Sequence, residues 1–165
     1  MSPARWGRPA SAGTRAGLVV VALLSLAAVA AAVATQQHWD MQPCPWCVLQ
    51  RLIFASIAVV ALLGLAWPAG GAALVSVFAG CGVAAALWQH FVAADAASCD
   101  LTLADRIVGA TGLDGRWPDV FMATASCAEA KVNLFGLPYE AWSGALFVLI
   151  GGLMLWRLGR HAGAR

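Results

Sequence analysis

Apolar positions gather into four long runs along the chain. The first extends from about Ala16 to Ala34 with no charge. The second extends from about Val48 to Trp67, with Arg51 near its start. The third, from about Ala72 to Val92, is again uncharged, and the fourth and shortest runs from about Ala141 to Leu158. A hydrocarbon layer about 30 Å thick is crossed by about 20 apolar residues in a helix, so each run predicts a membrane-spanning helix. One such run could be a buried helix of a soluble protein, but four in 165 residues argue for lipid. Trp67, Trp88, Trp142 and Trp156 fall near the ends of the runs, where indole rings favour the interface. Gly80, Gly82, Gly151 and Gly152 lie inside them, and small residues let helices in lipid approach closely.

Polar breaks set the topology. Pro68-Ala69-Gly70-Gly71 reads as a tight turn between the second and third spans. A short loop, 35–47, joins the first two spans, and a long loop, 93–140, joins the last two. The predicted fold is an all-α, four-helix membrane bundle in one domain, 1–165, with both loops on the same side. Composition agrees: 61% of residues are hydrophobic and 11% charged, against roughly 25% charged in soluble domains. That excludes a soluble enzyme, a disordered chain and a nucleic-acid binder working through a basic patch. The first run follows Arg5, Arg8 and Arg15 and has the flavour of a secretory signal. It exceeds the roughly 7–15 apolar residues of a signal core, which favours a retained helix. Six basic residues lie in the tails (Arg5, Arg8, Arg15, Arg157, Arg160, Arg165), against Arg51, Arg106, Arg116 and Lys131 on the loop side. The positive-inside bias therefore puts both termini in the cytoplasm and both loops outside.

Four of the five cysteines, Cys44, Cys47, Cys99 and Cys127, fall in these outward loops. The fifth, Cys81, lies mid-span and reads as a small packing residue. Cys44-Pro45-Trp46-Cys47 is a C-x-x-C motif that suits dithiol–disulfide cycling. With Cys99 and Cys127 it could instead complete a zinc site, although those two are too far apart to form a second ligand knuckle. A structural disulfide between Cys99 and Cys127 is a third reading. Cys47 immediately precedes the second run, where a helix N-terminus favours a thiolate. Arg51 follows one turn later on the same face. A cation there either snorkels to the headgroups or holds a polar, electron-accepting ring beside Cys47.

Several motifs resemble the DsbB family of quinone-linked bacterial thiol oxidases. They are Pro43-Cys44-Pro45-Trp46-Cys47-Val48-Leu49-Gln50-Arg51, Leu87-Trp88-Gln89-His90, Cys99-Asp100, Val120-Phe121-Met122-Ala123, Ser126-Cys127-Ala128-Glu129 and Leu134-Phe135-Gly136-Leu137. The resemblance implies an inner-membrane protein-dithiol:quinone oxidoreductase with periplasmic cysteine loops. Its partner would be a periplasmic DsbA-like protein of thioredoxin fold, and its cofactor a membrane quinone, ubiquinone or menaquinone. It further implies redox disulfides Cys44–Cys47 and Cys99–Cys127. Cys99 would take the mixed disulfide with the partner, Cys47 would face the quinone, Arg51 would help bind it and His90 would lie near it. His38 and His161 read as ordinary loop and tail residues. The dipeptide Pro45-Trp46 leaves the potential of its pair open.

Two other readings also fit the sequence. One is a vitamin-K-epoxide-reductase-like thiol–quinone oxidoreductase, a family that usually places its C-x-x-C elsewhere relative to the spans. The other is a non-enzymatic membrane scaffold with a zinc or disulfide knot. Within the long loop, Trp117, Val120 and Phe121 at helical spacing predict a short surface helix inside 114–125. Leu101, Ala104 and Val108 form a weaker stripe of the same kind.

Overall fold

The computed structural model describes residues 8–93, 102–130 and 132–162. Cys99, Leu101 and Lys131 lie outside them, as do the expectations resting on those residues. Among the described residues four helices are long and apolar enough to cross a membrane: α1 (Arg8–Trp39), α2 (Pro45–Leu63), α3 (Pro68–Phe91) and α7 (Tyr139–Ala162). Three shorter helices decorate the long loop: α4 (Leu103–Thr111), α5 (Leu113–Arg116) and α6 (Pro118–Phe121). A hairpin of β1 (Asn133–Leu134) and β2 (Leu137–Pro138) precedes α7.

The helix ends differ from the sequence expectation for local reasons. No Gly or Pro interrupts the stretch after Ala34, so α1 continues to Trp39 and stops at Asp40, which has φ 52°. Pro45 and Pro68 each open a helix. Proline suits the first helical position because its missing N–H has no intrahelical role there. Pro68-Ala69-Gly70-Gly71 is thus the first turn of α3, and the reversal lies at 64–67 instead. The hairpin is tight because a Cβ on Gly64 would stand 2.7 Å from the Cα of Gly71.

Around the bundle, α1 packs on α2, α2 on α3, α3 along α7, and α7 back on α1. Phe54 of α2 stacks on Phe147 of α7, with ring centroids 3.9 Å apart and planes 9° from parallel. Gly82 of α3 makes this possible: a Cβ there would fall 2.5 Å from the Phe147 ring. Cys81 is exposed beside it and does not pack in the core, contrary to the sequence expectation. Outward faces carry exposed Leu23, Leu63, Leu74, Val77, Val148 and Leu155, as a lipid-facing surface should. The four interfacial tryptophans are all exposed, and Arg157 and Arg160 hold their guanidinium groups 5.2 and 5.1 Å from the centre of the Trp156 ring.

The long loop packs on the cysteine end of α2. Thr102 caps α4 reciprocally with Asp105, and Ala104 and Val108 of that helix are buried. The weaker sequence stripe thus builds the longer helix. The stronger one breaks into α5 and α6, because a residue preceding proline is driven out of helical geometry and Trp117, before Pro118, sits at φ −134°, ψ 68°. Phe121 is buried while Trp117 stays exposed. Phe135 and Gly136 turn the hairpin with φ 54° and 82°, the left-handed region that a two-residue hairpin turn needs.

Candidate functional site

Cys44 is the N-cap of α2, and its sulfur accepts the backbone N–H of Cys47 at 3.3 Å. Cys47 therefore stands within the first turn instead of before it. The three-residue spacing brings the two sulfurs to 2.8 Å of each other as free thiols, at the positive end of the helix dipole. Cys44 is fully buried.

The long loop is stitched to the short one just above this pair. Backbone N–H groups of Thr124 and Ala125 donate to the carbonyl of Pro43 at 3.0 and 3.3 Å, and the Thr124 hydroxyl donates to Gln42 at 2.6 Å. Ser126 then starts a turn, donating its N–H and hydroxyl to Glu129 at 2.9 and 2.7 Å. These bonds hold Cys127 against Cys44. Hydrogen bonding to the Cys127 and Cys47 sulfurs, together with burial, pushes the Cys44 thiol far above the ordinary thiol value. Cys127 is pushed the other way: its sulfur accepts from the Cys44 thiol and from the backbone N–H of Trp46. Cys44 is thus a protonated sulfur shared between two neighbours. Three of the four predicted cysteines meet here, and the fourth, Cys99, lies outside the described residues.

Cys47 also faces a cavity of about 590 Å³ between α1, α2 and α7. Its deep wall is apolar, with Ala28, Phe54, Leu146 and Leu149, and its polar groups gather at the Cys47 end. A chain of side-chain hydrogen bonds runs through three helices to the sulfur. The Ser143 hydroxyl donates to Gln50, the Gln50 amide donates to Gln89 at 2.7 Å, and the Gln89 amide donates to the Cys47 sulfur at 3.2 Å. Both glutamines are buried. Satisfied networks of buried amides hold one arrangement firmly.

Arg51 does not snorkel. It is 5% exposed and donates to Gln36 at 2.8 Å, to the Val120 carbonyl at 3.1 Å and to the Ala32 carbonyl at 3.1 Å. Three of its five N–H donors therefore tie α1 and α6 to α2, while its side chain still lines the cavity. His90 does not line the cavity. Its Nδ1 lies 2.9 Å from Oε1 of Glu140, which does line it. Among the described residues no group of three or more His, Cys, Asp or Glu side chains is arranged to hold a metal ion.

The family described as "Disulfide bond formation protein DsbB" matches residues 14–157. The chain belongs to the DsbB family. It is 33% identical to Disulfide bond formation protein B of Dechloromonas aromatica, over 81% of this chain and 85% of the relative. It is 32% identical to the protein of that name from Burkholderia pseudomallei, over 88% and 90%, and 30% identical to that from Xanthomonas campestris, over 100% and 98%. No solved structure matches the chain. It is accordingly a disulfide-forming membrane oxidoreductase.

Within this DsbB-family site, sequence reasoning missed Gln36, Gln50, Gln89, Tyr139, Glu140 and Ser143. The available signal was polarity inside apolar runs. Gln50 and Gln89 adjoin Arg51 and His90 in the very motifs that carried the family resemblance, yet amides have no titration chemistry to draw notice.

Proposed function

We propose that this DsbB-family chain is an inner-membrane protein-dithiol:quinone oxidoreductase. It re-oxidises a periplasmic DsbA-like protein of thioredoxin fold and passes the electrons to ubiquinone or menaquinone. The observation that carries this reading is that the Cys44 sulfur lies 2.8 Å from that of Cys47 and is also hydrogen-bonded to that of Cys127. Thiol–disulfide exchange needs the sulfur attacked to be within reach of both the attacking and the leaving sulfur.

Starting from disulfides Cys44–Cys47 and Cys99–Cys127, a partner thiolate attacks Cys99 and releases Cys127 as a thiolate. Cys127 then attacks Cys44, forming Cys127–Cys44 and releasing Cys47 as a thiolate. The second partner thiol resolves its bond to Cys99 and leaves as a disulfide. Cys99 attacks Cys127 to restore the outer disulfide, which leaves Cys44 and Cys47 as the reduced pair. The backbone N–H of Trp46, which faces the Cys127 sulfur, would stabilise the attacking thiolate, and the Gln89 amide meets the leaving Cys47 sulfur.

The cavity at Cys47 suits a quinone: an apolar slot of about 590 Å³ with polar donors confined to one end. A quinone bound there supplies a two-electron, two-proton acceptor. Arg51, with two N–H donors left after its three structural bonds, and the Cys47 sulfur are the groups that would hold its ring. Arg157 and Arg160 beside Trp156, at the end opposite the cysteines, support cytoplasmic termini and a periplasmic cysteine face.

The test is turnover of the full chain in lipid nanodiscs with a reduced thioredoxin-fold dithiol protein and ubiquinone or menaquinone, followed by quinone absorbance. Turnover should vanish in Cys47→Ser and Cys127→Ser. Absence of turnover with either quinone, or turnover that survives Cys47→Ser, overturns the reading.

A further inference from the structure

We propose that Glu140, backed by His90, delivers a proton into the cavity at Cys47. The inference rests on the quinone-reductase reading above and concerns the one reactant that reading leaves without a route. Oxidising the Cys44–Cys47 dithiol yields two electrons and two protons, and a reduced quinone takes up the same number. Cys44 also leaves the exchange as a thiolate, when Cys99 attacks Cys127, but its raised thiol value has it take a proton back at the loop face before the quinone is reduced. Cys47, which leaves the exchange step as a thiolate, brings none. One proton must therefore enter from water.

Few groups on the cavity wall can carry it. Arg51 stays charged at any working pH. The Gln50 and Gln89 amides do not ionise. The Ser143 hydroxyl hydrogen is engaged with Gln50. The Tyr139 hydroxyl lies 3.3 Å from that of Thr35, and a phenol is a poor acid near neutral pH. Glu140 is the only carboxyl group on the wall among the described residues. Its side chain is 11% exposed, whereas that of His90, 2.9 Å away, is 47% exposed. The pair thus spans from apolar cavity to solvent, with the carboxyl inside and the imidazole outside. Phe91 sets the imidazole in place, edge to face at 4.8 Å between centroids. The pair also joins the last turn of α3 to the first turn of α7. Glu140 gives its proton to the cavity and becomes a carboxylate, His90 Nδ1 passes a proton to it, and the exposed imidazole takes one from water. The proton taken up equals the one that Cys47 lacks.

The experiment compares full-length wild type, Glu140→Gln, Glu140→Asp and His90→Gln in nanodiscs. In quinone-free, pre-oxidised protein, stoichiometric oxidation of the partner dithiol should be unchanged in every variant. With quinone supplied, the reduction rate should fall about a hundredfold in Glu140→Gln, the scale of general acid catalysis. Formate or acetate should restore it, and Glu140→Asp should retain much of it. In isotope-edited infrared spectra taken during quinone reduction, the Glu140 carboxyl band should shift transiently from the protonated to the ionised position in wild type, and its return should slow in His90→Gln. Full quinone reduction by Glu140→Gln overturns the proposal. So does a loss that weak acids do not restore, or a Glu140 band that never shifts while wild type reduces quinone. Failure of the quinone reading itself looks different, because wild type would then reduce no quinone at all.

Discussion

The side-chain amide of Gln89 donates to the sulfur of Cys47 across 3.2 Å, and its own oxygen accepts from Gln50. The second bond fixes which way the amide points, so an N–H faces the sulfur. A hydrogen bond to a charged group contributes about 1.5–3 kcal/mol, and the thiolate is the charged form here. Replacing Gln89 with leucine should slow iodoacetamide labelling of Cys47 in reduced protein about tenfold at neutral pH. Gln89→Glu should slow it at least as much, by setting a carboxylate beside the sulfur. Unchanged labelling in Gln89→Leu would show that the amide only fills space.

Three glycines of the α2–α3 hairpin make an internally controlled stability series. A Cβ on Gly64 meets the backbone of Gly71 at 2.7 Å, and one on Gly82 meets the Phe147 ring at 2.5 Å, whereas nothing lies within 4 Å of a Cβ on Gly80. Overpacking of this kind costs about 1–3 kcal/mol. Gly64→Ala and Gly82→Ala should lower the thermal midpoint in detergent. Gly80→Ala should leave it unchanged or raise it, since alanine favours helix over glycine. A drop in Gly80→Ala equal to the others would count against the packing described here.

Much of this architecture was legible because its cause is local. Four apolar runs specify four spans whatever their neighbours do, and Cys44 and Cys47 meet because a first helical turn brings residues three apart together. What stayed hidden depends on distant partners. Nothing near Arg51 announces that Gln36 and the carbonyls of Ala32 and Val120 will absorb its donors, so snorkelling and ligand binding looked equally reasonable. The broken helix at Trp117 was readable from Pro118, but aromatic spacing masked it. The contact of Cys127 with Cys44 depends on backbone bonds from Thr124 and Ala125 to Pro43, a pairing that side-chain pattern does not encode.

Arg51 carries a prediction of its own. One guanidinium fork reaches acceptors on α1 and on the segment before Phe121, and a single ammonium cannot reproduce those directions. Arg51→Lys should lose about 2 kcal/mol of stability, a fall of about 5 °C in thermal midpoint for a chain of this size, and Arg51→Met should lose at least as much. Protease sensitivity of the 112–125 segment should rise in both, because Val120 is then untethered. A variant with wild-type midpoint and wild-type protection would refute the tie.

The opposed shifts of Cys44 and Cys127 make the reduced protein respond to pH in a defined sense. In the fold Cys127 ionises below the ordinary thiol value of 9.0, chiefly because the Cys44 thiol donates to it. Its labelling by iodoacetamide, mapped by peptide mass spectrometry, should therefore set in at lower pH than that of a free cysteine, while Cys44 resists labelling throughout. Cys44→Ala removes the donor and should move Cys127 back up; Cys44→Ser keeps a hydroxyl donor and should keep most of the shift. Stability follows the larger effect. A thiol raised in the fold contributes stability that is full below its unfolded value and lost as pH rises above it. Cys127, lowered, acts in the opposite direction but more weakly. The thermal midpoint of reduced protein should thus decline as pH passes 9.0, and the decline should flatten in Cys44→Ala. Labelling of Cys44 and Cys127 at the same pH would mean that the two sulfurs are not in contact in the working protein.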